Sequence, residues 1–219
     1  PIEVHLKNNK SLEVDMFLFA AGRSGNIKQL KLEQVGVKTG KRELIVVDHQ
    51  YRTNISNIFA VGDVTGFPAL ASTSMEQGRI AVAHIFQTQD LEHLPTYFPY
   101  GIYTIPEVST IGLTTEEAEE KKILYSIGKA YYANMPRGKI MGAKTGMLKL
   151  LFHKDTLQIL GVHIIGRIAT EIIHYGVILV EDKKTLHHVI SQVFNCPTLH
   201  DLYKDAAYDG LVQVTPKFK

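Results

Sequence analysis

The chain has 219 residues, 45% hydrophobic and 21% charged, with a formal net charge of +2. That balance excludes a largely disordered protein, suits a sizeable buried core, and leaves too little positive charge to argue for nucleic acid as a partner. One cysteine, Cys196, excludes an intrachain disulfide framework, and neither a signal peptide nor a membrane-spanning run is legible, so the expectation is a cytoplasmic protein with no membrane partner.

Residues 2–6 alternate like a strand, enter the polar turn Asn8-Asn9-Lys10, and lead to a second strand-like stretch over residues 12–20. A hairpin at the first residue suggests a sheet already under way, so the chain reads as the C-terminal portion of something longer. The second stretch ends in AAGRSGN, an apolar strand closed by glycine, arginine and a polar turn. After a loop with Leu30 and Leu32, a short strand is expected over 44–47. Next comes TNISNIFAVGDVTGFPALAS, in which residues 58–61 are wholly apolar, as in a strand buried on both faces. Thr73-Ser74-Met75-Glu76 has the form of a capping box and predicts a helix from there to about Phe86, with Ile80 and Ala83 at helical spacing. The polar, proline-bearing residues 87–99 predict a domain boundary.

Beyond it, strands are expected over 102–105 and 125–132, and a hairpin over 147–153 and 158–165 about Lys154-Asp155-Thr156. Thr114-Thr115-Glu116-Glu117 caps a short charged helix. A long apolar helix over 169–180 carries Ile172, Ile173, Gly176, Leu179 and Val180 on or near one face, and another helix begins near Thr185. Strands grouped before helices predict an α+β unit. The pairs Lys121-Lys122 and Lys183-Lys184 read as solvated helix ends.

Chemistry concentrates in NIFAVGDVTGFPALAS. Ligands of open α/β sheets sit beyond the carboxyl ends of strands. There Gly62 offers no side chain to obstruct a ligand, Asp63 offers an acceptor for polyol or ribose hydroxyls, and the following helix points its N-terminus and dipole at the same place. The plainer alternative is a surface Asp in a turn. In AAGRSGN, Gly22 would let a dinucleotide approach and Arg23 would donate to it; the alternative is an ordinary Gly-Arg turn. Cys196, in FNCPTLHDLY, reads as a small, partly buried filler or as a reactive thiol, and His200 as a helix-surface histidine. The histidines lack metal-ligand spacing, and HExxH and CxxC are absent, so no metal is expected.

FLFAAGRSGN, TNISNIFAVGDVTGFPALAS, GIYTIPEVSTIG and FNCPTLHDLY stand in the order found in two-nucleotide flavoproteins, and the chain resembles the C-terminal part of the pyridine nucleotide-disulfide oxidoreductase family. The resemblance implies an α/β remnant of the FAD- and NAD(P)-binding domains over 1–98, then an α+β dimerisation domain over 99–219, an antiparallel sheet with helices. It implies FAD, NAD and NADP as cofactors and substrates, and a homodimer or larger homo-oligomer; by their own apolar pattern, the helix over 169–180 and the strands over 147–165 are expected to bury against a twin. It assigns Asp63 to the ribityl chain of FAD, Gly62 to the turn before it, Ala69, Leu70, Ala71 and Ser72 to the segment against the flavin, and Gly22 to the nicotinamide nucleotide. No catalytic side chain is implied. In the disulfide reductases of the family, a histidine stands at Cys196 and a glutamate at Asp201, forming the acid–base pair of dithiol chemistry. Its replacement, and the wording of GIYTIPEVSTIG, MGAKTGMLKLLFHKDTLQILGVHIIG and ATEIIHYG, imply hydride transfer from NADPH through flavin to NAD+. A dihydrolipoamide dehydrogenase-like flavoprotein, or an oligomerisation module without activity of its own, are the other readings. GxGxxG is missing, so these residues alone are expected to bind FAD weakly and to be inactive.

Overall fold

The structure, a computed structural model, describes residues 1–88 and 93–215. It divides into two compact units, Pro1–Leu94 and Pro95–Lys219.

In the first unit, strands β1 (Ile2–His5) and β2 (Ser11–Val14) pair antiparallel with Ile2 opposite Val14 and His5 opposite Ser11. Strand β2 ends at Val14, short of the expected residue 20, and Met16, Phe17, Leu18 and Phe19 are exposed. The apolar stretches 44–47 and 58–61 are not strands either. Each makes only an isolated bridge, Thr39 with Ile45 and Arg52 with Phe59. A strand needs a continuous ladder of N–H and C=O partners; here the bonds go singly to different segments, with the Ile45 N–H on the Val64 carbonyl at 2.8 Å, the Val46 N–H on the Lys38 carbonyl at 3.1 Å and the Ala60 N–H on the Tyr51 carbonyl at 3.0 Å. What core there is gathers Ile27, Val37, Ile45 and Ala60, backed by Leu32, Val47, Ile55, Ile58 and Val64.

Helix α1 (Ala71–Phe86) has its N-cap at Leu70, three residues before the Thr73 of the capping-box pattern. Thr73 and Ser74 lie within its first turn and donate their hydroxyls back to the Leu70 carbonyl at 2.9 and 2.8 Å, so neither caps it. The helix ends at Phe86 as expected and buries Thr73, Gln77, Ile80, Ala81 and Ala83.

The second unit is built on a five-stranded antiparallel sheet in the order β3-β4-β7-β6-β5. Its strands are β3 (Tyr100–Ile102), β4 (Glu107–Gly112), β5 (Tyr125–Tyr131), β6 (Met147–His153) and β7 (Ile159–Gly166). Strand β3 stops at Ile102, and Ile105 is fully exposed, because Pro106 cannot donate to a ladder and the Thr104 hydroxyl bonds the Pro106 carbonyl at 2.8 Å. Strand β4 was not legible as a strand: EVSTIG has no clean alternation. It is nonetheless internal to the sheet, with Ser109 buried and its hydroxyl donating to the Tyr100 carbonyl at 2.7 Å.

Alternation decides the faces of the sheet. Leu148, Leu150 and Phe152 of β6 and Val162 and Ile164 of β7 enter the main core beneath α4 (Ala169–Glu181), α5 (Leu186–Ser191) and α6 (Asp201–Val214). Gly128 of β5 lets α6 lie close: a Cβ there would stand 2.0 Å from the Ala206 carbonyl oxygen. On the other face, Leu113, Leu151 and Ala118 of α2 (Thr115–Glu120) form a second cluster. Thr114 and Glu117 close the expected capping box. A short helix, α3 (Pro136–Ile140), opens with Pro136.

The apolar face of α4 is spent inside its own unit. Ile172, Ile173, Leu179 and Val180 belong to the main core, so this face is not free to meet a twin as the sequence suggested. Glu107 accepts from the Thr170 hydroxyl at 2.7 Å and its N–H at 3.1 Å, which tethers the start of α4 to β4 and holds the Glu107 carboxyl below its ordinary value. The face opposite the main core instead carries one apolar row across all five strands: Ile102, Val108, Ile165, Met147 and Tyr131 are successive cross-strand partners. Ile102, Ile165 and Tyr131 are exposed.

Candidate functional site

The site begins at Gly62. Its φ of +84° is disfavoured for residues with a Cβ, and it turns the chain out of the apolar segment 58–61. Asp63–Thr65 follow as a single 3-10 turn, closed by the Thr65 N–H on the Gly62 carbonyl at 2.9 Å and the Thr65 hydroxyl on the same oxygen at 2.8 Å. The Gly62 N–H donates to Oε1 of Gln77 at 2.6 Å. Gln77 is 2% exposed and lies on the buried side of α1. The side chain therefore ties the Asp63 turn to the second turn of the helix. Sequence pattern missed Gln77. Its only signal was a polar residue on the inner face of an amphipathic helix, three positions before Ile80.

Ala69 has φ +45°, its N–H bonds the Gly66 carbonyl at 3.0 Å, and Leu70 holds the N-cap position of α1. No side chain caps the helix, so the leading amides at Ala71, Ser72 and Thr73 stand open at the positive end of its dipole. Ala71 and Ser72 are exposed.

A cleft of about 420 Å³ in this unit is lined by Arg23, Ser24, Gly25, Asn26, Arg42, Leu44, Asp63, Val64, Gly66, Phe67 and Ala69. It brings AAGRSGN and NIFAVGD together: Nη1 of Arg23 lies 3.4 Å from Oδ2 of Asp63. Of the residues singled out in sequence, Asp63 and Ala69 line this cleft. Gly62, Leu70, Ala71 and Ser72 flank them in the chain. Gly22, exposed and at φ +104°, precedes Arg23.

In the second unit, Cys196 is exposed rather than a partly buried filler, because it precedes Pro197 in the irregular link between α5 and α6. His200 is not a simple surface histidine. It occupies the N-cap of α6, half buried, with its ring stacked on Tyr203 at 6.3 Å and 6.0 Å from that of Phe194. Asp201 begins α6. Burial first, and then the Asp201 charge one turn away, raise the Asp205 carboxyl above its ordinary value. Among the described residues, no group of three or more His, Cys, Asp or Glu side chains is arranged to hold a metal ion. No helix of the described residues is long and apolar enough to cross a membrane.

The first unit thus carries a glycine-turned carboxylate beside an uncapped helix start, and the second an antiparallel sheet carrying helices. Residues 1–78 match the pyridine nucleotide-disulphide oxidoreductase family, and residues 98–207 match its dimerisation domain. The chain belongs to that family. It is 46% identical over 211 residues to the soluble pyridine nucleotide transhydrogenase of Azotobacter vinelandii, which covers 95% of this chain and 45% of that protein. The protein of the same name from Serratia proteamaculans is 44% identical over the same shares. The chain thus spans about half the length of the curated relatives it matches. Among solved structures, the HOCl-induced flavoprotein disulfide reductase RclA from Escherichia coli superposes with a TM-score of 0.85 at 26% identity, over 94% of this chain and 47% of that one. LpdA from Mycobacterium tuberculosis shares the fold, with a TM-score of 0.82 at 24% identity over 94% of this chain and 45% of that one.

Proposed function

We propose that these residues form the flavin-facing and pairing portion of an FAD-dependent enzyme that moves hydride between NADPH and NAD+. The observation that carries the reading is the meeting of Asp63, the Gly62 turn and the open start of α1 in one unit, tied by Gln77. These residues fit one edge of FAD. Asp63 would accept from ribityl hydroxyls, and the amides at Ala71, Ser72 and Thr73 would face the pyrimidine edge, where reduced flavin is negative. Gly22 would leave room for the nicotinamide nucleotide. A bound flavin would supply a two-electron relay between the nucleotides; the chain's own residues position the rings and favour charge. No GxGxxG motif is present in the sequence, so these residues do not supply a glycine-rich pyrophosphate loop.

Cys196 and Asp201 favour this reaction over dithiol chemistry, because neither reproduces a neutral-pH imidazole held by glutamate. We further propose a homodimer, in the cytoplasm, in which the apolar row Ile102, Val108, Ile165, Met147 and Tyr131 meets a second copy; a contiguous exposed apolar patch is costly to leave in water. Joining these residues to the N-terminal half of the Azotobacter relative tests the activity. The hybrid should reduce an NAD+ analogue with NADPH and leave dihydrolipoamide untouched; the reverse outcome defeats the proposal. Light scattering should give a dimer that Ile165→Glu dissociates, and a monomeric parent chain would remove the pairing face.

A further inference from the structure

We propose that Arg42 is the anion anchor of this cleft, holding a phosphate of the dinucleotide that lies along Gly22 and Asp63. The inference rests on the flavoenzyme reading and adds to it a residue outside the motifs that define it.

Charge comes first. Arg23 and Asp63 face each other at 3.4 Å and offset one another, whereas Arg42 has no carboxylate within ion-pair distance among the described residues. Two guanidinium groups against one carboxylate leave the lining with one net positive charge, and that charge is Arg42. Leu44, Val64, Phe67 and Ala69 supply apolar lining, while Ser24 and Asn26 add neutral polar groups. A ligand with an aromatic ring and a phosphate matches that mixture. A guanidinium is the side chain whose planar fork suits phosphate oxygens.

Backbone geometry comes second. Arg42 and Glu43 are consecutive non-glycine residues in the left-handed region, with φ of +57° and +59°. Each such residue costs about 1 kcal/mol. The conformation is braced: the Gly25 N–H donates to the Arg42 carbonyl at 2.9 Å, and a Cβ on Gly25 would stand 2.1 Å from the Glu43 carbonyl oxygen. The Glu43 carboxylate pairs with Lys28 at 3.4 Å, away from its neighbour. Nη1 of Arg42 lies 3.9 Å from the point where a Gly22 Cβ would sit. The turn thus keeps the carboxylate next in sequence occupied elsewhere and sets the guanidinium over the glycine assigned to the nucleotide.

The test is fluorescence titration of the full chain, which has no tryptophan to interfere, with riboflavin, FMN, FAD and NADH. Arg42→Gln should weaken FMN and FAD, or NADH, about tenfold or more and leave riboflavin unchanged, as expected for loss of a charge-assisted contact to phosphate. Arg42→Lys should recover part of the loss. Whichever ligand is affected, flavin or nicotinamide, identifies the source of the phosphate. Arg42→Gly relieves the positive φ, so it should keep the thermal midpoint of the parent or raise it while losing the same affinity, which separates anchoring from folding. Equal loss of riboflavin and FMN, or undiminished binding of all four ligands by Arg42→Gln, overturns the anchor and leaves the cleft reading intact. A parent chain that binds none of them overturns both.

Discussion

In the second unit, Leu148, Leu150 and Phe152 of the sheet and Leu179 and Tyr203 of the helices above it are all sealed from water. In the first, Met16 and Leu18 are each 87% exposed, and the cluster around Ile27, Val37, Ile45 and Ala60 is far smaller. The same apolar residue types do different work. One unit seals most of its hydrophobic pattern inside itself and leaves one apolar row on the outer sheet face; the other leaves the apolar side chains at 16–19 exposed and carries a cleft of mixed polar and apolar lining. The second unit packs its sheet under three helices, while the cleft of the first is built from glycine turns, a positive-φ alanine and an uncapped helix start.

The largest test of that contrast is core truncation. Leu150→Ala should cost about 2–5 kcal/mol of stability, read by chemical denaturation, because a sealed site cannot fully collapse. Val37→Ala in the smaller cluster should cost less than half as much; equal costs would break the contrast. Next, Gln77→Ala leaves the Gly62 N–H without its partner and should cost about 1–3 kcal/mol, with faster hydrogen exchange confined to the Asp63 turn. Uniform acceleration across both units would show that Gln77 does not act locally. Thr114→Ala, which removes half of a closed capping box, should cost about 1 kcal/mol in the second unit alone.

The smallest effect concerns pH. His163 lies on the sheet face opposite the main core. Nε2 donates to the Leu113 carbonyl at 3.0 Å, and Nδ1 accepts from the Thr110 hydroxyl at 2.7 Å. Burial first, and then Lys149, lower its pKa, against opposing contributions from Leu113, Glu116 and Glu117. The unfolded chain therefore takes up this proton before the folded one. The neutral ring's contribution is complete above about pH 6.5 and is lost as pH falls through the lower folded value. Thermal midpoints of the parent and His163→Gln should converge toward acid pH; a gap that widens toward acid would reverse the sign.

The same contrast explains what sequence could reveal. In the second unit, β5, β6, β7, the capping box and α4 follow from alternation, hydroxyl-acid spacing and helical periodicity, because each element's partner is present to honour the pattern. Strand β4 escaped because Ser109 and Thr110 are satisfied by tertiary bonds that a window of residues does not show. In the first unit, residues 16–20 and 58–61 have strand composition without a strand ladder, 58–61 making a single isolated bridge. The cleft was half legible: Asp63 and Ala69 come from one continuous stretch, but its junction with Arg23 spans 40 positions, and Arg42 stands in no motif.

Flavin binding by the chain and by Asp63→Ala tests the proposed site most directly. Titrating FAD and following the quenching of its fluorescence should give weak, saturable binding to the parent chain, weakened about tenfold or more when the carboxylate is removed. Saturable binding that Asp63→Ala leaves unchanged, or no saturable binding at all, would contradict a flavin seated on the Asp63 turn.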